Sequence, residues 1–152
     1  MGESKLMNNF EKWDRRFLEL AQYWADTCSK DPRTKTGAVI TKGNKIISLG
    51  YNGFPDGVDD SDERWNNREL KHKFVQHAER NALDNAEGCV KYATLYVNLK
   101  PCVECAKSIA QKQISRVVFY RDLREDTFGW NYTDIIFREA GIQVTEVERE
   151  SL

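Results

Sequence analysis

Two cysteines in the second half of the chain have the spacing of metal ligands. Cys102 and Cys105 stand in the stretch PCVECAKSIA, which opens with Pro101 and continues as a helix-like run. Residues three apart project from one face of a helix, so both sulfur atoms can reach one metal ion. The helix dipole at the first turn favours the thiolate, the metal-binding form of cysteine. Taken alone, this C-x-x-C spacing fits a redox pair, a structural zinc site, part of a catalytic centre, or no function.

A second motif, HAE, lies 25 residues before Cys102 and also stands at the start of a predicted helix. Helices that follow neighbouring parallel strands present their N-termini at one edge of the sheet, so His77, Cys102 and Cys105 are predicted to converge. Three protein ligands leave the fourth position of tetrahedral zinc open for water, which is the catalytic arrangement, whereas structural zinc takes four ligands. Glu79 is not needed as a ligand and would stand beside that water as a general acid and base.

The other cysteines bear on the competing interpretations. Cys28 falls on the apolar stripe of the first predicted helix and Cys89 has no C-x-x-C partner, so both are expected to be core residues rather than zinc ligands. A thioredoxin-like pair would leave His77 and Glu79 without a role. A non-catalytic zinc-stabilised interaction module is the rival of a different class, although such a module has no use for a carboxylate beside the metal. His72, in a polar segment, is expected to be solvated.

The elements that must position these motifs follow from hydropathy and turn residues. The order α-β-β-α-β-α-β-α-β indicates an α/β fold with a mixed five-stranded sheet layered by helices, antiparallel in the opening hairpin and parallel in the second half. The segment RWNNRELKHKF is ambiguous, with a short polar helix as one interpretation. Helices are predicted over residues 10–28, 75–86, 102–113 and 130–141, and strands over 36–41, 44–51, 93–99, 116–120 and 142–147.

Length, net charge and apolar content limit the kinds of protein that this chain can be. The 152 residues suit a single domain over 1–152 with its core over about 10–147. The net charge of -1, with acidic and basic residues interleaved, disfavours a nucleic-acid partner but leaves room for a small anionic ligand. No apolar run approaches the ~20 residues that span a bilayer, and no signal-peptide core is visible, so we expect no membrane association and a cytoplasmic location.

The H-x-E and P-C-x-x-C motifs, in that order, are typical of zinc deaminases of nucleobases. The chain resembles the cytidine and deoxycytidylate deaminase family over about residues 14–147, and within it most closely the zinc-dependent dCMP deaminases. This resemblance rests on the stretches SKDPRTKTGAVI, GYNGFPDGVDD, HAERNA, LYVNLKPCVECAKSIAQ and AGIQV. It implies a cytidine-deaminase-like three-layer α/β/α fold, one Zn²⁺ per chain, and hydrolysis of dCMP to dUMP and ammonia, which supplies dUMP for dTTP synthesis.

The resemblance also assigns residues to roles. Glu79 becomes the proton shuttle, with zinc-bound water as the nucleophile. Asn52 and the backbone N–H of Ala78 become contacts to base and sugar; the alternative role of Asn52 is that of a turn residue before Gly53. Lys35 is the preferred phosphate ligand, and Thr36 departs from the valine usual in the family. The other cations considered for the phosphate are Arg33, Lys71, Lys73 and Arg121.

Substrate and regulation stay open at this level. The related tRNA adenosine deaminases share the zinc motif, but the 24 residues between Asn52 and His77 are typical of the deoxycytidylate branch. The alternatives are dCTP, a modified dCMP or, less favoured, a tRNA adenosine. Many members are homohexamers regulated by dCTP and dTTP. The loop that resembles their effector segment would hold Mg²⁺ on a nucleoside triphosphate, or would be a solvated turn; its residues are Tyr51, Gly53, Asp56, Asp59 and Asp60.

Overall fold

A computed structural model of the chain describes residues 9–122, 124 and 129–149. Within them, the predicted strands and long helices form close to the expected bounds. The helices are α1 (Asn9–Cys28), α2 (Asp62–Asn66), α3 (Arg68–Phe74), α4 (Ala78–Asn85), α5 (Val103–Gln111) and α6 (Trp130–Glu139). The strands are β1 (Gly37–Lys42), β2 (Lys45–Tyr51), β3 (Thr94–Val97), β4 (Arg116–Tyr120) and β5 (Gln143–Val147). No helix of this described part is long and apolar enough to cross a membrane.

The five strands form one mixed sheet, as the pattern of elements predicts, and their order in it is β2-β1-β3-β4-β5. β1 pairs antiparallel with both β2 and β3, whereas β3, β4 and β5 are parallel and joined by helices. One expectation was wrong in detail: β2 and β3, the strands that precede the two motif helices, are not neighbours, because β1 lies between them. Since both run antiparallel to β1, they still point the same way, and the chain leaves both at the same edge.

Alternate residues of the strands face two separate cores, which makes the fold a three-layer α/β/α arrangement. On one face, Ile40, Leu95 and Val117 pack against α4, α5 and α6. On the other face, Val39 and Tyr96 pack against α1. Burial of side chains from both faces of the sheet supplies the main stabilisation of such a domain. It also fixes α4 and α5 on the same side, so that their first turns can meet.

Gly50 in β2 lets α4 approach the sheet at backbone distance. A Cβ atom added there would lie 2.4 Å from the backbone nitrogen of Ala82 and 2.5 Å from the carbonyl oxygen of Ala78. Since backbone atoms of a packed helix cannot yield at such distances, a side chain at this position would displace α4. The glycine therefore sets the depth at which the helix that carries HAE sits.

The segment between β2 and α4 leaves the sheet and returns to the same point. Gly53 and Gln76 exchange two backbone hydrogen bonds of 3.1 and 2.8 Å, which close the excursion of residues 54–75 directly before His77. Inside it lie α2 and α3, capped by the side chains of Ser61 and Asn67. The ambiguous polar segment thus forms two short helices, and their positions follow from capping rather than from an apolar stripe.

The expected burial of the two remaining cysteines is only partly met. Cys28, at the end of α1, is half-buried, but Cys89 is exposed. The core assignment of Cys89 was wrong because it lies in the turn after α4, beyond the last helical residue that faces the sheet.

Candidate metal centre and substrate cavity

His77, Cys102 and Cys105 meet at the first turns of two helices. His77 is the residue before α4, Cys102 is the residue before α5, and Cys105 lies in the first turn of α5. The Nδ1 atom of His77 is 3.5 Å from Sγ of Cys102 and 3.3 Å from Sγ of Cys105. All three ligand atoms lie within 4.8 Å of one another. The predicted convergence therefore has the geometry of a metal-ligand cluster.

The spacing of these atoms fits tetrahedral zinc. Ligands at the usual Zn–N and Zn–S lengths subtend edges of about 3.6 Å in a tetrahedron, close to the two N–S distances found here. An imidazole with two thiol groups is also a donor set that zinc prefers. Three protein groups converge here among the residues that the structure describes, which leaves one coordination position for water or substrate, the catalytic rather than the structural pattern.

The two thiol groups differ in how readily they ionise before a metal binds. A hydrogen bond from Cys105 lowers the pKa of the Cys102 thiol to about 4, so Cys102 is a thiolate at neutral pH. The same hydrogen bond raises the pKa of Cys105, since its proton is held between the two sulfur atoms. A hydrogen bond with Cys102 also raises the pKa of His77. Cys105 and His77 therefore have to release protons when a metal binds, whereas Cys102 is already ionised.

Glu79 lies in the first turn of α4, two residues after His77, and its side chain lines the same cavity. Its residue is only 4% exposed. Burial raises the pKa of the Glu79 carboxyl to about 7. A carboxyl group that titrates near neutral pH can both accept and donate a proton, which is the property of a general acid–base catalyst.

The cavity beside this cluster has a volume of about 360 Å³, within the range of small-molecule sites. His77, Ala78, Glu79 and Cys102 line it, together with residues of the loop after α1 and of α3. The remaining residues that line it are Asp31, Arg33, Thr34, Thr36, Asn52, Arg68, Lys71, His72, Val75, Leu99 and Lys100.

Asn52 lines the cavity, but most of its hydrogen-bonding capacity is used within the protein. Its Nδ2 donates to the carbonyl oxygen of Thr34 at 2.9 Å and to Asp31 at 3.2 Å, and its Oδ1 accepts from the backbone N–H of Thr36 at 2.8 Å. A side-chain oxygen accepts two hydrogen bonds, so one acceptor position of Oδ1 is left for a ligand. Asn52 thus also shapes the loop that forms one wall.

Asp31 lines the cavity, and the sequence reasoning did not single it out. Its carboxylate accepts hydrogen bonds from the backbone of Arg33 and Thr34 at 2.8 and 3.2 Å, and from Asn52. It also forms a buried ion pair with Lys71 at 3.2 Å. A serine or aspartate two residues before a turn is a recognisable local signal, but nothing local links Asp31 to a lysine 40 residues later.

Lys35 does not line the metal cavity. It lines an adjacent polar depression that shares Asp31, Arg33 and Thr34 with the first. Successive residues of extended backbone point to opposite sides, so Thr36 faces the cavity and Lys35 faces away from it. Of the other cations considered, Arg33 and Lys71 line the cavity, whereas Lys73 and Arg121 do not.

The residues of the predicted effector loop do not all line one cavity. Tyr51, Gly53 and Asp56 line a separate shallow cavity of about 270 Å³. Asp59 and Asp60 do not line it, and the exposed Asp60 carboxylate pairs with Lys30 at 3.0 Å instead. The structure therefore does not bring the three aspartates to one point.

Comparison with known proteins places these features in context. The model of the cytidine and deoxycytidylate deaminase zinc-binding region matches residues 11–121. The human deoxycytidylate deaminase is 36% identical over 145 residues, covering 91% of this chain and 81% of the relative. An uncharacterised deaminase from Aliivibrio fischeri is 38% identical over 138 residues, covering 88% and 92%. The crystal structure of dCMP deaminase from the cyanophage S-TIM5 in complex with dCMP and dUMP superposes with a TM-score of 0.71 at 26% identity, covering 93% of this chain and 100% of that one.

Proposed function

The chain belongs to the cytidine and deoxycytidylate deaminase family, and from that premise we propose that it is a single-domain, zinc-dependent hydrolase that converts dCMP to dUMP and ammonia. The observation that carries the proposal is the cluster of His77, Cys102 and Cys105 beside a cavity that the buried carboxyl of Glu79 also lines. The product would feed dTTP synthesis.

Zn²⁺ held by His77 and the two cysteines would supply the Lewis acidity that makes water nucleophilic near neutral pH. The protein groups then have to place the cytosine ring and move protons. α4 and α5 contribute the ligands from their first turns, where the helix dipoles favour the thiolate charge. This positions the metal at the end of the cavity that Glu79 also lines.

Glu79 acts on the protons of the reaction. Its carboxylate takes a proton from the attacking water and delivers it to N3 of the cytosine ring; it then takes the proton of the new C4 hydroxyl and passes it to the amino group, which leaves as ammonia. These steps require one carboxyl group that is ionised at the start and releases its proton easily, and the pKa of about 7 meets both conditions. Burial further excludes bulk water from the proton transfer.

Ala78 and Asn52 orient the base and sugar. Ala78 is fully buried and lines the cavity, so the small side chain leaves room for a flat ring beside the metal. Its backbone N–H belongs to the first turn of α4, where N–H groups have no intrahelical acceptor and can donate to a ligand. The Oδ1 atom of Asn52 uses its remaining acceptor position for a hydrogen bond from the nucleotide.

The proposal also covers the regulation and the assembly of the enzyme. The cavity around Tyr51, Gly53 and Asp56 would take the effector, dCTP with Mg²⁺ or dTTP, in a homo-oligomer such as a hexamer located in the cytoplasm. The support is the family resemblance of this loop, together with the open cavity that three of its residues line.

The test is product formation by zinc-replete protein with dCMP, dCTP, deoxycytidine and a tRNA anticodon stem-loop in separate reactions. We expect selective conversion of dCMP, loss of turnover in Glu79→Gln, and about one zinc per chain in both proteins. Repeating the dCMP reaction with dCTP, dTTP and Mg²⁺ tests the effector role. Conversion of dCTP or the stem-loop instead would overturn the substrate assignment, and zinc without turnover of any substrate would support the interaction module.

A further inference from the structure

The residues directly before Cys102 are fastened to α6, a helix that carries none of the three metal ligands. The indole Nε1 of Trp130 donates a hydrogen bond to the carbonyl oxygen of Lys100 at 3.2 Å. The hydroxyl of Thr133 donates a hydrogen bond to the carbonyl oxygen of Pro101 at 3.1 Å. The first turn of α6 therefore holds both residues that lead into Cys102.

The hydrogen bond from Thr133 acts on the peptide unit that enters Cys102. The carbonyl of Pro101 belongs to this unit, and because a peptide unit is planar, holding its oxygen restrains the rotation of the whole unit. Cys102 stands just outside α5, with φ -72° and ψ 170°, so helical geometry does not set its backbone on this side. The hydroxyl of Thr133 thus influences the direction in which the Cys102 side chain leaves the chain.

The other ligand that stands directly before a helix is held in a comparable way. The carbonyl oxygen of Gln76 accepts a hydrogen bond of 3.1 Å from the backbone N–H of Gly53, so the peptide unit that enters His77 is also restrained. Cys105 lies within α5, where the helix itself fixes the backbone. The restraint on His77 comes from a backbone group, whereas the restraint on Cys102 comes from side chains that single substitutions remove.

The identity of residue 133 agrees with this role. Thr133 is fully buried, and valine would fill the same volume without a polar group. A threonine within a helix commonly turns its hydroxyl back to a carbonyl of the preceding turn, but this hydroxyl reaches Pro101, 32 residues earlier in the chain. Because a buried hydroxyl is unfavourable without a hydrogen bond, the contact with Pro101 accounts for a threonine where packing alone does not require one.

Close packing of the first turns of α5 and α6 keeps these groups within reach. Gly129, directly before α6, has a φ of 72°, and a Cβ atom added there would lie 3.2 Å from Cγ1 of Val103. The ammonium of Lys100 pairs with Asp134 of α6 at 2.8 Å, and the Lys100 side chain is only 13% exposed. The segment before Cys102 is therefore enclosed by α6 along its length.

We infer that Thr133 is a positioning residue for the metal centre. Its hydrogen bond to the Pro101 carbonyl holds Sγ of Cys102 at the spacing that a metal ion requires, and Trp130 supports the same segment through Lys100. Thr133 and Trp130 are not members of the ligand cluster and do not line the substrate cavity, so they act through Cys102. This inference rests on the zinc site of the proposed function but not on the identity of the substrate.

Zinc affinity of the full chain, measured by competition with a chelator, tests the inference. Thr133→Val keeps the size of the side chain but removes the hydroxyl, and loss of a group that orients a metal ligand weakens metal binding by about 10- to 100-fold. Thr133→Ser keeps the donor and should retain the zinc affinity within about threefold. In the same proteins loaded with Co²⁺, the ligand-field absorption bands should change in Thr133→Val but not in Thr133→Ser, because these bands depend on the coordination geometry.

Thr145→Val is the matched control. The hydroxyl of Thr145 accepts a hydrogen bond of 3.0 Å from Arg116, whose guanidinium also contacts Asp14 of α1 on the other side of the sheet. Its replacement removes a tertiary hydrogen bond of a threonine away from the metal centre and should leave the zinc affinity unchanged. An equal loss of affinity in Thr133→Val and Thr145→Val, or in Thr133→Val and Thr133→Ser, would overturn the inference.

Trp130→Phe gives a second measurement, since it keeps an aromatic ring but removes the donor to Lys100. We expect it to weaken zinc binding by at least about threefold. An unchanged affinity would overturn the supporting role of Trp130 and, if Thr133→Val yields no folded protein, the inference as a whole.

Zinc binding requires no turnover, so this inference and the proposed function can fail separately. A chain that shows the expected zinc affinities but converts no dCMP would refute only the reaction. Deamination of dCMP together with an unchanged zinc affinity in Thr133→Val would refute only the positioning role of Thr133.

Discussion

The buried pair of Asp31 and Lys71 predicts an asymmetric response to mutation. Replacing Lys71 by Met removes one charged donor, but the Asp31 carboxylate keeps its three other donors, from Arg33, Thr34 and Asn52. Replacing Asp31 by Ala removes the acceptor of all four hydrogen bonds and leaves an ammonium group buried without a counter-charge. The carboxylate is therefore the more costly member to remove.

The magnitudes follow from these contacts. One hydrogen bond to a charged group contributes about 2 kcal/mol, and this is our expected loss in the free energy of unfolding for Lys71→Met. Stranding one member of a buried ion pair costs roughly 3–5 kcal/mol, which is the loss expected for Asp31→Ala. In the Asp31→Ala background, Lys71→Met removes the stranded charge, so the sign of its effect should reverse and the double variant should be more stable than Asp31→Ala alone.

Urea unfolding at one fixed protein and zinc concentration measures all four members of this double-mutant cycle. Lys73→Met, an exposed lysine on the same helix, serves as control and should lie within about 0.5 kcal/mol of the original chain. Additive effects of the two substitutions, or a larger loss for Lys71→Met than for Asp31→Ala, would refute the view that Asp31 is the centre of this network.

Three further predictions address the rest of the fold and the site. Gly50→Ala should displace α4 through its clash with the backbone of Ala82 and weaken zinc binding, which a competitive chelator titration measures; unchanged affinity would contradict the role of Gly50. Cys105→Ser should lower the zinc content, measured by metal analysis, well below one per chain, and it should abolish turnover of dCMP, measured as product formation. Full zinc occupancy would exclude Cys105 as a ligand. Burial, together with the charge and hydrogen bond of Asp14, raises the pKa of Tyr96 to about 12 from its ordinary 10. Because the native state holds this proton more tightly, its stabilising effect is complete below pH 10 and is lost as the pH rises towards 12. The stability of the original chain relative to Tyr96→Phe should therefore fall by about 1 kcal/mol between pH 9.5 and 11 in urea unfolding, and a constant difference would contradict this assignment.

Local sequence was sufficient to predict the sheet and the metal cluster. Apolar alternation and helical periodicity encode each strand and helix over a few residues, so the elements could be predicted close to their bounds. His77, Cys102 and Cys105 stand at helix starts, and two helices that begin at the same edge of a sheet necessarily bring their first turns together. The assumption that β2 and β3 are neighbours was wrong. The two helix starts still converge, because β2 and β3 point the same way across β1.

Only the tertiary structure decided which polar groups face the cavity. Lys35 and Lys71 are both lysines in polar surroundings of the sequence, yet one lies in the adjacent depression and the other is buried beside the substrate cavity. The difference depends on the return of residues 54–75 to Gln76 and on the contact between Asp31 and Lys71, which are 40 residues apart. Metal ligands could be recognised because their chemistry demands particular residues at particular helix positions. A cation that faces the cavity carries no such local signal, because long-range packing decides which positive charges reach it.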